Sequence, residues 1–242
     1  MKNKALLITG ASSDIGCELI RQVHEEYDVI YAHYYSSYEV LKQLQQDIGD
    51  KLRLVQADFS NMDDVYRMID IIKNDEVKIN NIVHLSAPKF KNVKLVKKKW
   101  EDFEKELQQS VYSITTIINA FVKDMAKDKY GRIVLMLSSS ILNTPPKYLT
   151  PYVTAKFAAL GLVKSLSSEF SNKGITVNGV SPEMIETKFL SEVSDLIVEK
   201  NAQESPLGRN LQVTDVVPLV KYLLSDNAEA ITGQNYAITG GR

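Results

Sequence analysis

A single cysteine, Cys17, is all the thiol chemistry available to this 242-residue chain. No intrachain disulfide can form, and a reducing, cytoplasmic setting is the natural expectation. No metal site is expected. A surplus of charge of either sign is lacking too. Lys+Arg 29 against Asp+Glu 30 gives a net charge of -1, which leaves no basic excess to hold nucleic acid. Long apolar runs are also missing. The longest, Ile133 to Leu137, falls far short of the roughly 20 residues needed to span a membrane. The N-terminal run Ala5 to Ile8 is shorter than the roughly 7 to 15 apolar residues of a signal peptide and reads as a first strand. These absences disfavour nucleic-acid, membrane and secreted roles.

What remains is an ordinary globular composition, 44% hydrophobic and 24% charged. Short β-rich apolar runs recur at 4–9, 28–33, 51–57, 79–86, 131–137, 174–180 and 235–239. Between them lie helical patterns such as Val65, Met68, Ile69 and Ile72, or Val163, Leu166 and Phe170. Strand–helix alternation predicts right-handed βαβ crossovers: an α/β, doubly wound, seven-stranded parallel sheet with helices on both faces. Residues 1–242 read as a single domain. Two stretches break the rhythm, one from about Trp100 to Lys129 and one after Pro182. The second follows a strand, where a substrate-covering loop over about 183–205 would lie.

The first strand–helix turn runs Gly10-Ala11-Ser12-Ser13-Asp14-Ile15-Gly16. A helix starting near Ile15 would aim free N–H groups and its positive dipole end at a pyrophosphate. The turn is neither a P-loop, since five residues separate its glycines and no Lys-Ser/Thr follows, nor a G-x-G-x-x-G fingerprint. A capped structural turn is the alternative.

Farther along, Tyr152 and Lys156 are four residues apart, so both project from one face of a helix running toward Phe170. A cation close to a phenol of pKa near 10 favours the phenolate by roughly 1 to 3 units, toward a usable acid/base. Tyr38 and Lys42 have the same spacing, and spacing alone does not separate the two pairs.

Six segments, "TGASSDIG" (9–16), "HLSA" (84–87), the serines 138–140, "YVTAK" (152–156), "GITVNGVSPEMIETKFL" (174–190) and "ITGQNYAITGG" (231–241), together resemble the classical short-chain dehydrogenases/reductases. They follow that family's order and spacing along essentially the whole chain. The likeness is greatest to the branch containing 3-oxoacyl-[acyl-carrier-protein] reductases.

The resemblance implies a Rossmann fold and an NAD(P)-dependent hydride transfer between nicotinamide and a small-molecule carbonyl or secondary alcohol. A 3-oxoacyl thioester is one candidate substrate. A catalytically idle cofactor-binding protein and a sugar-modifying enzyme are the alternatives. By position, Gly10, Ser12, Ser13, Asp14, Ile15 and Gly16 would surround the pyrophosphate. Asp58, with Phe59 beside it, would hold the adenine, and the Ser86-Ala87 main chain would pass the ribose. Ser36 and Ser37, with no carboxylate before Glu39, favour NADP(H) over NAD(H). Pro182, Ile185 and Thr187 would meet the nicotinamide.

Tyr152 would be the acid/base and Lys156 would hold the nicotinamide ribose. Counting back from Tyr152 selects Ser139 as the assisting serine, while counting forward from Gly131 selects Ser138. Ser139 is the favoured choice. Ser110 stands where the family's relay asparagine would be. His84 fills the place of another asparagine, as a strand-end residue or a ligand contact. The family's usual glycine after Pro182 is replaced by Glu183. Lys89, Lys91, Lys94, Lys97, Lys98 and Lys99 would steer an anionic substrate or acidic carrier protein, or simply solvate a loop and helix start. A homotetramer or homodimer is expected.

Overall fold

The computed structural model describes residues 4–89 and 92–242. Seven strands form one parallel sheet: β1 (Ala5–Thr9), β2 (Val29–Tyr34), β3 (Leu52–Gln56), β4 (Asn81–His84), β5 (Gly131–Met136), β6 (Ile175–Pro182) and β7 (Asn235–Ile238). Their spatial order is β3-β2-β1-β4-β5-β6-β7, the doubly wound order the alternation predicts. Strand direction fixes which layer each side chain joins. On β1, Ala5 and Leu7 pack into one apolar layer, and Leu6 and Ile8 into the other. Both faces are covered, so the strand is apolar at nearly every position rather than alternating. Each such Leu or Ile contributes about 1.5–3 kcal/mol by leaving water.

One layer contains α3 (Met62–Asn74), α5 (Ser113–Asp128) and α6 (Thr150–Phe170). The other contains α1 (Asp14–Val23), α2 (Tyr38–Ile48) and α8 (Val213–Leu224). The long stretch after Trp100 resolves into α4 (Trp100–Leu107), a π-helical turn over Gln108–Tyr112, and then α5. π-turns widen the helix by one residue and recur at functional sites. The stretch after Pro182 holds a short 3-10 turn, Lys188–Glu192, and α7 (Asp195–Glu204), none of whose residues is buried. Its apolar side chains Leu196 and Ile197 face outward, which explains the missing helical period in the sequence. No helix among the described residues is long and apolar enough to cross a membrane.

Candidate active site

The strand order reverses between β1 and β4, so the loops after these strands diverge and leave a crevice at their carboxyl ends. Gly10 lies at this point with φ of 68°, in the left-handed region that glycine enters without strain. A Cβ there would come within 2.9 Å of the Ser86 nitrogen, so the first turn and the Ser86-Ala87 main chain are packed directly together. A Cβ on Gly16 would lie 2.5 Å from the Ala11 carbonyl oxygen, which lets α1 begin hard against the turn. Ser13 caps α1 by accepting from the Gly16 N–H at 3.1 Å. The cap and the open crevice above it coexist, so the two readings of this turn do not compete.

His33 holds the same turn from below. Its Nδ1 accepts from the Gly10 N–H at 3.0 Å, which leaves Nε2 to donate to the Ala57 carbonyl at 3.0 Å. Burial drops its pKa to about 4, so the ring stays neutral in this tautomer. Phe59 stacks on His33 with centroids 4.0 Å apart. Its side chain is therefore part of the core. Asp58, the neighbouring residue, already binds Ser60 through one carboxylate oxygen. Ser36 and Ser37 are exposed at the start of α2, and Ser37 makes no side-chain capping bond. Their hydroxyls stay available, and no carboxylate stands between them and the end of β2.

On the other side of the crevice, Pro151 sits in the first turn of α6, where its fixed φ suits a helix start. Tyr152 follows, and one turn later Lys156 places its Nζ 5.6 Å from the Tyr152 ring centroid. Both are buried. Lys156 donates to the Met136 carbonyl at 2.8 Å, at the end of β5. The Tyr152 hydroxyl is hydrogen-bonded to the Ser138 side chain. Two expectations are corrected here. The serine at the phenol is Ser138, not Ser139, because Ser138 follows the end of β5 at Met136 by two residues and Ser139 has already turned into the next element. Ser139 instead opens a 3-10 turn whose start Ser138 caps by accepting from the Ser140 N–H at 3.2 Å. The phenol is also not lowered. Burial pushes it up to about 12, aided by the Glu106 charge and opposed by the Ser138 hydrogen bond. Burial likewise lowers Lys156 to about 8.

Behind this pair, Ser110 occupies the π-helical turn, buried, with its Oγ lacking a hydrogen-bond partner. His84 ends β4, bonded through Nδ1 to Thr9 Oγ1 at 2.7 Å. Burial and the Lys156 charge hold it near pKa 3, so it is a neutral strand-end residue. Past β6, Ile185 pairs in a β-bridge with Leu211, and the Thr187 hydroxyl donates to the Ile185 carbonyl at 3.4 Å. Glu183 lies 3.8 Å from Arg242, whose guanidinium also binds Asn201 of α7.

A cavity of about 270 Å³ opens beside Tyr152. Lys89, Lys97 and Lys98 of the lysine-rich stretch line it, with Lys105 and the buried carboxyl of Glu106. Lys94 and Lys99 do not line it, and Lys91 lies outside the described residues. Lys89 reaches across to Ser191 Oγ at 2.9 Å, and Asp14 accepts from the Lys188 N–H at 2.7 Å. The loop after β6 is thus pinned to both sides of the crevice. Sequence reasoning missed His33, Glu106 and this use of Asp14. Only the position of His33 near the carboxyl end of the apolar strand β2 hinted at its place. Nothing local marks Glu106, a glutamate on an acidic helix.

Comparisons agree with this geometry. A family model described as enoyl-(acyl carrier protein) reductase matches residues 10–242. The 3-oxoacyl-[acyl-carrier-protein] reductase FabG of Staphylococcus aureus (strain Mu50) is 29% identical over 241 residues, covering 98% of this chain and 97% of its own. Among solved structures, levodione reductase superposes with a TM-score of 0.90 at 19% identity, covering 100% of this chain and 98% of its own. ElxO with NADP bound superposes at 0.88 and 24% identity, with the same two coverages. With its sheet order, its glycine turn at the switch point and a matching family model over nearly its full length, the chain belongs to the short-chain dehydrogenase/reductase family.

Proposed function

We propose that the protein is an NADP(H)-dependent reductase of a small carbonyl compound, working in the cytoplasm, with residues 1–242 as a single domain and about 183–205 as the cover of its substrate. The observation that carries this reading is the buried Tyr152 hydroxyl, bonded to Ser138, one helical turn from Lys156 and open to a cavity. When bound, NADPH supplies the hydride. The carbonyl oxygen of the substrate would lie between the Ser138 and Tyr152 hydroxyls, where Ser138 orients it and Tyr152 gives it a proton. Lys156 holds positive charge beside the phenol as the proton leaves. The first turn receives the pyrophosphate at the N-terminus of α1. Ile185 and Thr187 offer main-chain and hydroxyl groups to the nicotinamide amide.

The exposed Ser36 and Ser37 hydroxyls support NADP(H), since a carboxylate in their place would repel a 2'-phosphate. The relative solved with NADP and the 3-oxoacyl-[acyl-carrier-protein] reductase relatives support the same choice. The lysines at the cavity rim favour a substrate carrying negative charge, a 3-oxoacyl thioester among them. A homodimer or homotetramer fits the half-exposed Phe157 on α6 and Tyr112 before α5.

Fluorescence titration with NADPH and NADH, followed by NADPH oxidation with 3-oxoacyl thioesters, sugars and small ketones, tests the reading. Turnover of a carbonyl and its loss in Tyr152→Phe are expected. Tighter NADH binding overturns the cofactor assignment, and an undiminished rate in Tyr152→Phe overturns the reductase itself.

A further inference from the structure

A reductase of this design consumes one proton at Tyr152 per turnover: the phenol O–H breaks as the alcohol O–H forms, and the phenolate must regain a proton before the next cycle. Tyr152 and Lys156 are both buried, and the cavity that opens on the phenol is the place the substrate fills. Resupply therefore needs a path on the protein side.

Glu106 stands in the last turn of α4, just before the π-helical turn, with only 8% of its surface exposed. It lines the same cavity as Tyr152. Its Oε2 is sealed from solvent and has no hydrogen-bond partner. One further buried polar atom without a partner belongs to the same neighbourhood, Ser110 Oγ. Glu106 and His84 both lie within the field of the Lys156 ammonium, and the His84 ring is hydrogen-bonded to the Ser110 main chain. Buried atoms of this kind are normally satisfied by ordered water, which needs two to four polar partners. Lys156, Glu106 and Ser110 supply that number.

We propose, on the reductase reading above, that Glu106 is the relay residue that passes protons from the cavity rim through water to Lys156 and so to Tyr152. In each cycle a lysine N–H proton moves onto the phenolate, the bridging water gives a proton to the lysine nitrogen, and the Glu106 carboxyl O–H breaks to restore the water, leaving the ammonium, the water and the phenol as they began and Glu106 as a carboxylate. The carboxylate then regains a proton from solvent at the rim. No electrons move in this path.

The charged surroundings suit it. Facing Glu106 are Lys156 from α6, Lys98 from the turn preceding α4, Lys105 from its own helix, and Tyr152, with Asp102 on the cavity wall. Burial raises the carboxyl to about 7 against the pull of the three lysines, so it gives and recovers a proton near neutrality.

The test compares Glu106→Gln with the full-length protein, using NADPH and acetoacetyl-CoA, ethyl acetoacetate or a small diketone. A relay predicts a fall of about 10- to 100-fold in kcat with NADPH affinity unchanged. It also predicts loss of the pH-dependent limb of kcat near neutrality, a larger solvent deuterium effect, and a hydride isotope effect with deuterated NADPH that shrinks toward unity. Glu106→Asp restores part of the rate. A kcat within about twofold of the parent, or a loss confined to KM, overturns the relay. Should Glu106→Gln fail to fold, a proton inventory of the parent in mixed H2O/D2O decides: a bowed plot supports the chain, and a linear one overturns it. A parent inactive on every carbonyl, or an active Tyr152→Phe, removes the reductase reading and the relay with it. An active parent, a dead Tyr152→Phe and a normal Glu106→Gln remove the relay alone.

Discussion

Lys156 Nζ lies 5.6 Å from the centre of the Tyr152 ring, and Lys42 Nζ lies 5.7 Å from the centre of the Tyr38 ring. The two pairs share spacing and geometry and differ in surroundings. Tyr152 is 9% exposed and bonded to Ser138, whereas Tyr38 is 37% exposed on the outer face of α2. An ammonium over a wet ring is worth about 0.5–1 kcal/mol and does little else. In the proposed reductase, Lys156→Met therefore lowers kcat about 100-fold or more, while Lys42→Met leaves it within about twofold. Steady-state NADPH oxidation by the two variants checks this.

The hydrogen bond from Ser138 separates two adjacent serines. In the proposed reductase, Ser138→Ala removes the second hydroxyl at the carbonyl and lowers kcat/KM by about 100-fold. Ser139→Ala changes it by less than about threefold and acts only through the 3-10 turn. The opposite ranking in kinetic assays would return the assisting role to Ser139.

Stability falls on the acid side. His33 and His84 have folded pKa values of about 4 and 3, below the ordinary 6.5, so between 6.5 and 4 the unfolded chain binds two protons that the folded chain does not. Their contribution is present above pH 6.5 and is lost as pH falls. Glu106, raised from 4.5 to about 7, acts in the opposite sense, because its folded form holds one proton more between those values. The balance is one proton, or about 1.4 kcal/mol per pH unit. From pH 6.5 to 5 the Tm of the unliganded protein is expected to drop by roughly 4 to 8 °C. His84→Asn keeps a polar group at Thr9 and removes one titration, so it flattens this limb in thermal melts.

Asp14 ties the loop after β6 to the first turn through the Lys188 N–H. Asp14→Ala frees that end of the loop at a cost of about 1 kcal/mol. Limited trypsin digestion at Lys188 and Lys200 is expected to quicken several-fold, and KM for the carbonyl to rise more than kcat falls. Unchanged digestion would show that the Lys89–Ser191 contact is sufficient by itself.

Much of this was legible along the chain. Runs such as Ala5 to Ile8 and Ile133 to Leu137 are apolar at nearly every position because both sheet faces are covered, and that signature is local. Gly10 and Gly16 were legible as a turn because their chemistry is that of the backbone. The stretch after Trp100 was not, since a π-helical turn shifts the phase of the apolar positions between α4 and α5.

The sequence by itself determined the order of strands and helices, the glycine turn, and the Tyr152–Lys156 pair, because each depends on spacing within one or two turns of chain. The tertiary structure alone decided which serine reaches the phenol, that burial rather than the lysine sets its pKa, and that Glu106 belongs to the site. Those depend on where β5, α4 and α6 converge, and burial and field at that point are summed over side chains distant in sequence.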